Sequence, residues 1–183
     1  PGSEEADGRQ EFLLMAGSGM KDLMRTGVTE THPDIITDDV LTQWMAMAAD
    51  RNINVTLVVD GCHGGGLLDR EFANVSFIGA STEDQYVGEY VIDGRKHGIV
   101  SDAFAKGILG AADFNGDGFV SQSEIFAFVR AKTLEGAGVA QTPQFLPPPQ
   151  DATASLALFE LPADVAERSE RIAKIAWPDS AAR

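Results

Sequence analysis

Residues 55 to 65 read Val55-Thr56-Leu57-Val58-Val59-Asp60-Gly61-Cys62-His63-Gly64-Gly65. Val55 to Val59 form a nearly continuous β-branched and aliphatic run, the pattern of a strand buried on both faces of a parallel sheet, so a central strand is expected here. The run ends in an acid, a cysteine and glycines. Open α/β sheets gather ligands at the carboxyl ends of their strands. Glycines beside a thiol let a substrate backbone approach and leave amide N–H groups free to stabilise an oxyanion. Cys62 is therefore the candidate nucleophile. As the sole cysteine it has no partner for an internal disulfide, which points to a reducing, cytoplasmic setting. A buried core thiol is the plainer alternative, the usual fate of a lone cysteine.

Working outward, the short apolar run Phe12 to Ala16, bounded by Gly8 and Gly17, suits a strand, and polar Gly17 to Ile36 suits a surface excursion. Thr37 reads as a helix N-cap, with Asp38 and Asp39 in the first turn and Val40, Leu41, Trp44, Met45 and Ala48 recurring on one face. Val75 to Ala80 reads as a strand and Ser101 to Leu109 as a helix with Phe104 and Ile108 one turn apart. Gln141 to Pro149 holds four of the eight prolines and is expected to be an extended loop. Ser155 to Leu161 is one more strand candidate, and Ala163 to Ala176 has helical character. Strand and helix alternate, which predicts an α/β fold with helices on the faces of the sheet.

A chain of 183 residues with 44% apolar content is long enough for one compact domain with its own core. Its formal charge of -14 argues against nucleic acid and against anionic membrane surfaces, both of which attract basic proteins. No apolar run of eighteen residues occurs, and Pro1 to Met15 lack the basic-then-apolar order of a signal peptide.

The stretch from Asp60 to Gly65 resembles the Asp-x-Cys-His-Ser-Gly signature of metacaspases and bacterial orthocaspases, which are caspase-like cysteine peptidases. It departs from that signature in Gly64, which stands in place of the serine. The similarity extends to Glu5-Ala6-Asp7-Gly8-Arg9-Gln10-Glu11, to Ile36-Thr37-Asp38-Asp39, to Phe77-Ile78-Gly79-Ala80-Ser81 with Asp84-Gln85, and to Gly98–Leu109 and Gln141-Thr142-Pro143. It covers roughly residues 4 to 160. The resemblance implies a caspase-hemoglobinase fold, a mostly parallel sheet flanked by helices, with a peptidase domain over residues 1–161 and a carboxy-terminal helix and tail over 162–183. It implies that Cys62 attacks the scissile carbonyl of a protein or peptide substrate and that its own N–H helps form the oxyanion hole. Asp60 matches the acid that makes the substrate pocket select Arg or Lys, and Ser81 is expected to line the same pocket. A carboxylate in such a pocket grips a guanidinium in bidentate fashion.

In that family the imidazole base precedes the cysteine and is followed by glycine, and no such dipeptide occurs before Cys62. His32 lies in a Thr-His-Pro segment, His63 is the neighbour of the nucleophile, and His97-Gly98 has the wrong chain order. The catalytic histidine and the first strands of the fold are therefore expected in a segment upstream, on the same precursor or on another chain. An inactive caspase-like module that has lost its base and binds calcium and a protein is the rival expectation.

Asp113 to Glu124 fits the twelve-residue EF-hand template. Asp113, Asn115, Asp117, the Phe119 carbonyl, Ser121 and Glu124 supply oxygens at the required spacing, and Gly118 supplies the turn, which implies Ca²⁺. The same residues suit a plainer reading, since Ser121-x-x-Glu124 is also a capping box and Asn-Gly-Asp-Gly is good turn chemistry. The resemblance adds a second set, Asp38, Asp39 and Asp69, as counterparts of the acids through which metacaspases are activated by calcium.

Overall fold

The computed structural model describes residues 11–15, 34–68, 70–149 and 157–164. Nine strands are described: β1 (Phe12–Leu14), β2 (Ile35–Thr37), β3 (Val55–Val59), β4 (Val75–Gly79), β5 (Tyr90–Ile92), β6 (Arg95–His97), β7 (Phe119–Ser121), β8 (Gln144–Leu146) and β9 (Ala157–Glu160). Three α-helices accompany them: α1 (Asp38–Asp50), α2 (Ile99–Lys106) and α3 (Gln122–Ala137). The class is mixed α/β, as expected, with small sheets.

The largest described sheet has the order β3-β4-β8. β3 and β4 run parallel, Val55 opposite Val75 through Val59 opposite Gly79, whereas β8 joins β4 antiparallel with Phe77 opposite Leu146. A mostly parallel sheet was expected; the described sheet is mixed. Period-two alternation sorts the side chains of β4 between two cores. Phe77 and Val75 meet Leu41 and Met45 of α1, while Ile78 turns to Val100 and Ala103 of α2 and Ile125, Phe126 and Val129 of α3. The helices thus cover both faces of this sheet. All five residues of β4 are buried, but four of the five in β3 are only half-buried. β4 is therefore the central strand, and β3, expected there, is an edge among the described residues.

Local chemistry explains most element boundaries. The Thr37 hydroxyl accepts the Val40 N–H at 3.4 Å and starts α1. Ser121 and Glu124 form a reciprocal capping box at the start of α3. α2 ends where Gly107–Ala111 form a wide turn that Gly110 breaks at φ 107°, a conformation that favours glycine. Asp93 and Gly94, both at positive φ, close the β5–β6 hairpin, as an Asp-Gly pair does in a tight two-residue turn.

Two further expectations need correction. Gln141–Pro149 is not only a loop: Gln144–Leu146 pair with β4, and Phe145 buries against Phe126 with ring centroids 4.7 Å apart. Prolines 143, 147 and 148 flank this strand without interrupting it, because an edge strand tolerates proline at its ends. Trp44, expected on the packed face of α1, is 47% exposed beside the exposed Met47, and only Asp38, Leu41 and Met45 of that helix are buried. β1 and β9 lie within the strands expected there. Most of the Gly17–Ile36 excursion and all but the start of the Ala163–Ala176 helix fall outside the described residues. No helix among the described residues is long and apolar enough to cross a membrane.

Candidate active site and calcium loop

Cys62 lies in the turn that leaves β3, and its side chain is exposed. His63 follows in the left-handed region at φ 59° and caps a short 3-10 turn, Gly64–Leu67. That turn folds tightly against the end of β4: a Cβ at Gly64 would come within 3.1 Å of the Val59 carbonyl oxygen, and one at Gly79 within 2.6 Å of the Gly64 carbonyl oxygen. Gly61 is the opposite case, with nothing within 4 Å of the position a Cβ would take. The space over Gly61, the residue before the thiol, is open. None of the hydrogen bonds among the described residues uses the Cys62 N–H, which suits the oxyanion role expected of it.

The loop after β4 lies over the thiol. Val87 donates its N–H to Cys62 Sγ at 3.3 Å, and the Val87 carbonyl lies 3.8 Å from the same sulfur. Ser81 is fully buried, and its hydroxyl donates to the carbonyls of Gln85 at 3.2 Å and Gly61 at 3.5 Å. It stands next to the site expected of it, but its hydroxyl acts through the two loops it ties together.

Asp60 is seated on the first turn of α2. Its Oδ2 accepts the Ser101 N–H at 2.7 Å, and its Oδ1 is shielded from solvent with no partner among the described residues. Gly98, the N-cap of α2, brings no side-chain acceptor, so Asp60 takes that part from outside the helix, where the helix dipole favours its charge. A Cβ at Gly98 would collide with the Asp60 carboxylate. This is why a glycine stands there, and sequence reasoning had no signal for it because the two residues are distant in the chain.

Neither described histidine meets the thiol. The Nδ1 of His63 faces the Glu83 carbonyl, and its ring stands edge-on to Tyr86 with centroids 5.0 Å apart. His97 ends β6 on the surface, and His32 lies outside the described residues.

The Asp113–Glu124 loop has its turn glycine where the template requires it, Gly118 at φ 85°. Asp113 is 4% exposed, and its carboxylate accepts the N–H groups of Gly116, Asp117 and Gly118 at 2.8 to 3.2 Å. Burial pushes its pKa up; the Gly118 and Gly116 amides oppose this, and the nearby Glu124 and Asp117 charges add to it. Asn115 Oδ1 accepts the Asp117 N–H, and Asp117 Oδ1 accepts the Phe119 N–H. Glu124 accepts the Phe114 N–H at 3.1 Å through Oε1 and the Ser121 N–H at 2.9 Å through Oε2. The carboxylates are thus turned onto the loop's own amides, and among the described residues no three His, Cys, Asp or Glu side chains converge as a metal-holding group. The donor set still fits a hard cation: carboxylate, amide, hydroxyl and carbonyl oxygens on one loop, with a nearly buried carboxylate that a cation would keep ionised. β7, inside this loop, pairs with β9, and Leu161 donates its N–H to the Gly118 carbonyl at 2.9 Å. Asp38 offers a second carboxylate of interest, almost fully buried, with Oδ1 on the Asp39 N–H and Oδ2 without a partner among the described residues; Asp69 lies outside those residues.

No family model, no curated protein and no solved structure matches the chain.

Proposed function

We propose that this chain is the cysteine-bearing part of a caspase-like cysteine endopeptidase that cleaves protein substrates after Arg or Lys. The observation that supports this most is Asp60: two residues from an exposed thiol, its carboxylate keeps one oxygen without a donor, while the space over Gly61 is open. A buried carboxylate oxygen without a donor is costly, and a guanidinium or ammonium group supplies both the donor and the opposite charge. With the basic side chain drawn toward Asp60, the scissile carbonyl lies near Cys62 Sγ, and the Cys62 N–H takes the developing oxyanion. The proton of the thiol passes to an imidazole that a segment upstream supplies, and the acyl-enzyme then yields to water.

Asp113, Asn115, Asp117, the Phe119 carbonyl, Ser121 and Glu124 are the residues that would hold Ca²⁺, an ion that binds structurally here. Asp38, with its unpartnered oxygen, is the better candidate for a regulatory ion, together with Asp39 and Asp69.

A second reading, a catalytically inactive caspase-like module that binds calcium and a protein, is favoured by the position of His63, whose ring turns to Glu83 and Tyr86 and leaves Cys62 without a described base. Cleavage of fluorogenic peptides ending in Arg or Asp separates the two, using a precursor that includes the upstream segment, its Cys62→Ala variant, and conditions with and without calcium. Cleavage after Arg that disappears in the variant is the expected result. No cleavage of either peptide under any condition would favour the inactive module.

A further inference from the structure

We infer that Gln85 is a positioning residue for Cys62: its side-chain amide clamps the loop Thr82–Glu89 so that the Val87 N–H points at the thiol. This rests on the reading of Cys62 as a nucleophile, but it concerns a residue to which that reading gives no role. The loop has no regular structure between β4 and β5, and Glu83, Asp84, Tyr86, Gly88 and Glu89 are exposed, so its conformation must come from specific bonds. Gln85 makes them with both ends of its backbone and both ends of its side chain. Its N–H donates to the Thr82 carbonyl at 3.1 Å, and its carbonyl accepts the His63 N–H at 3.0 Å and the Ser81 hydroxyl at 3.2 Å. Its Oε1 accepts the N–H groups of Thr82 at 3.4 Å and Thr142 at 2.9 Å, and its Nε2 donates to Thr142 Oγ1 at 3.3 Å.

These bonds join three parts of the fold that are distant in sequence. His63 belongs to the nucleophile turn, Ser81 and Thr82 to the end of the central strand, and Thr142 to the segment entering β8. Two residues beyond Gln85, the Val87 N–H meets Cys62 Sγ at 3.3 Å. The Val87 carbonyl also faces the sulfur, but at 3.8 Å; the N–H is the nearer contact, and a donor there supports the sulfur as it attacks an electrophile. Cys62 is already exposed, so freeing the loop adds little access, and loss of the donor decides the sign.

The test is the rate of Cys62 alkylation by iodoacetamide at neutral pH, measured on the full chain and compared with glutathione under the same conditions. Gln85→Met keeps the length of the side chain and removes its amide; Gln85→Glu restores the acceptor for the Thr82 and Thr142 N–H groups. The expected result is a wild-type rate above that of glutathione, a drop of about tenfold in Gln85→Met, the size of one hydrogen bond to a charged group, and at least partial recovery in Gln85→Glu. A loop with a merely structural role would lower the melting temperature in both variants without this rescue. A wild-type rate well above glutathione that Gln85→Met leaves unchanged overturns the inference while sparing the nucleophile. A wild-type rate no higher than that of glutathione overturns both.

Discussion

At Asp60 one carboxylate oxygen takes the Ser101 N–H and the other has no partner among the described residues, so substitutions can separate holding the helix from holding a cation. Asp60→Asn keeps an acceptor for Ser101 and should change unfolding free energy by less than about 1 kcal/mol. On the proposed function the same substitution should lower kcat/KM for Arg peptides on the order of a hundredfold, because it removes the charge that would pair with the substrate's basic side chain. Asp60→Leu also strands the Ser101 N–H and should lose roughly 1–3 kcal/mol of stability in chemical denaturation. If Asp60→Asn cleaves Arg peptides like the parent, the acid serves only as the helix cap. Gly98→Ala addresses the same contact from the other side: its methyl would overlap the carboxylate, and overpacking of this kind costs about 1–3 kcal/mol. Cys62, Asp60 and the candidate calcium ligands could be singled out as candidates because each lies in a contiguous motif. Gln85, Gly98 and Ser101 could not, because their importance arises from contacts between segments that the sequence keeps far apart.

The loop between α2 and α3 allows a calcium test that does not depend on activity. Glutamine keeps the capping-box bond to the Ser121 N–H, but its amide nitrogen cannot accept the Phe114 N–H that Glu124 Oε1 takes, so Glu124→Gln should cost about 1 kcal/mol without calcium while removing the closing carboxylate. Calcium at a hundredfold excess over its dissociation constant should stabilise the parent by about 2.7 kcal/mol and the variant far less, as read by calorimetry. Equal melting curves for the parent with and without calcium would leave the loop as a capped turn. Acid titration gives a second check on Asp113. Its folded pKa is raised, so the native state binds this proton more readily than the unfolded chain does. The contribution of Asp113 to stability therefore falls as pH rises from the ordinary carboxylate range through the raised value, and is most favourable below both. Calcium, which needs the ionised form, should flatten or reverse that dependence in the parent and do neither in Asp113→Asn, which has no carboxyl there to titrate. At this scale the sequence was most informative where one segment settles its own structure, as in the Thr37 and Ser121 caps and the run of β4. It was least informative for β8, whose three residues become a strand only because β4 offers a partner.

The sheet of β3, β4 and β8 is covered by helices on both faces, yet β3 pairs on one side only among the described residues. Its sequence is that of an interior strand, and four of its five residues remain half-buried. Near the start of the same strand, Ile53 joins Trp44, Met47, Ala48 and Arg51 around an apolar depression, and Trp44, Met47 and Ile53 are each about half exposed. Unpaired edges and apolar patches of this sort recruit further strands or further copies of a chain. The upstream segment of the proposed function would cover this edge and bring its imidazole to the site at once, if it adds a strand parallel to β3 whose carboxyl end lies near Cys62. Alone, the chain should therefore sediment as concentration-dependent oligomers. Coexpressed with the upstream segment, it should sediment as a single 1:1 species whose β3 amides gain protection from hydrogen exchange. A chain that is monodisperse alone, with β3 amides already protected, would mean that its own residues complete the sheet, and the base would then have to be sought within this sequence.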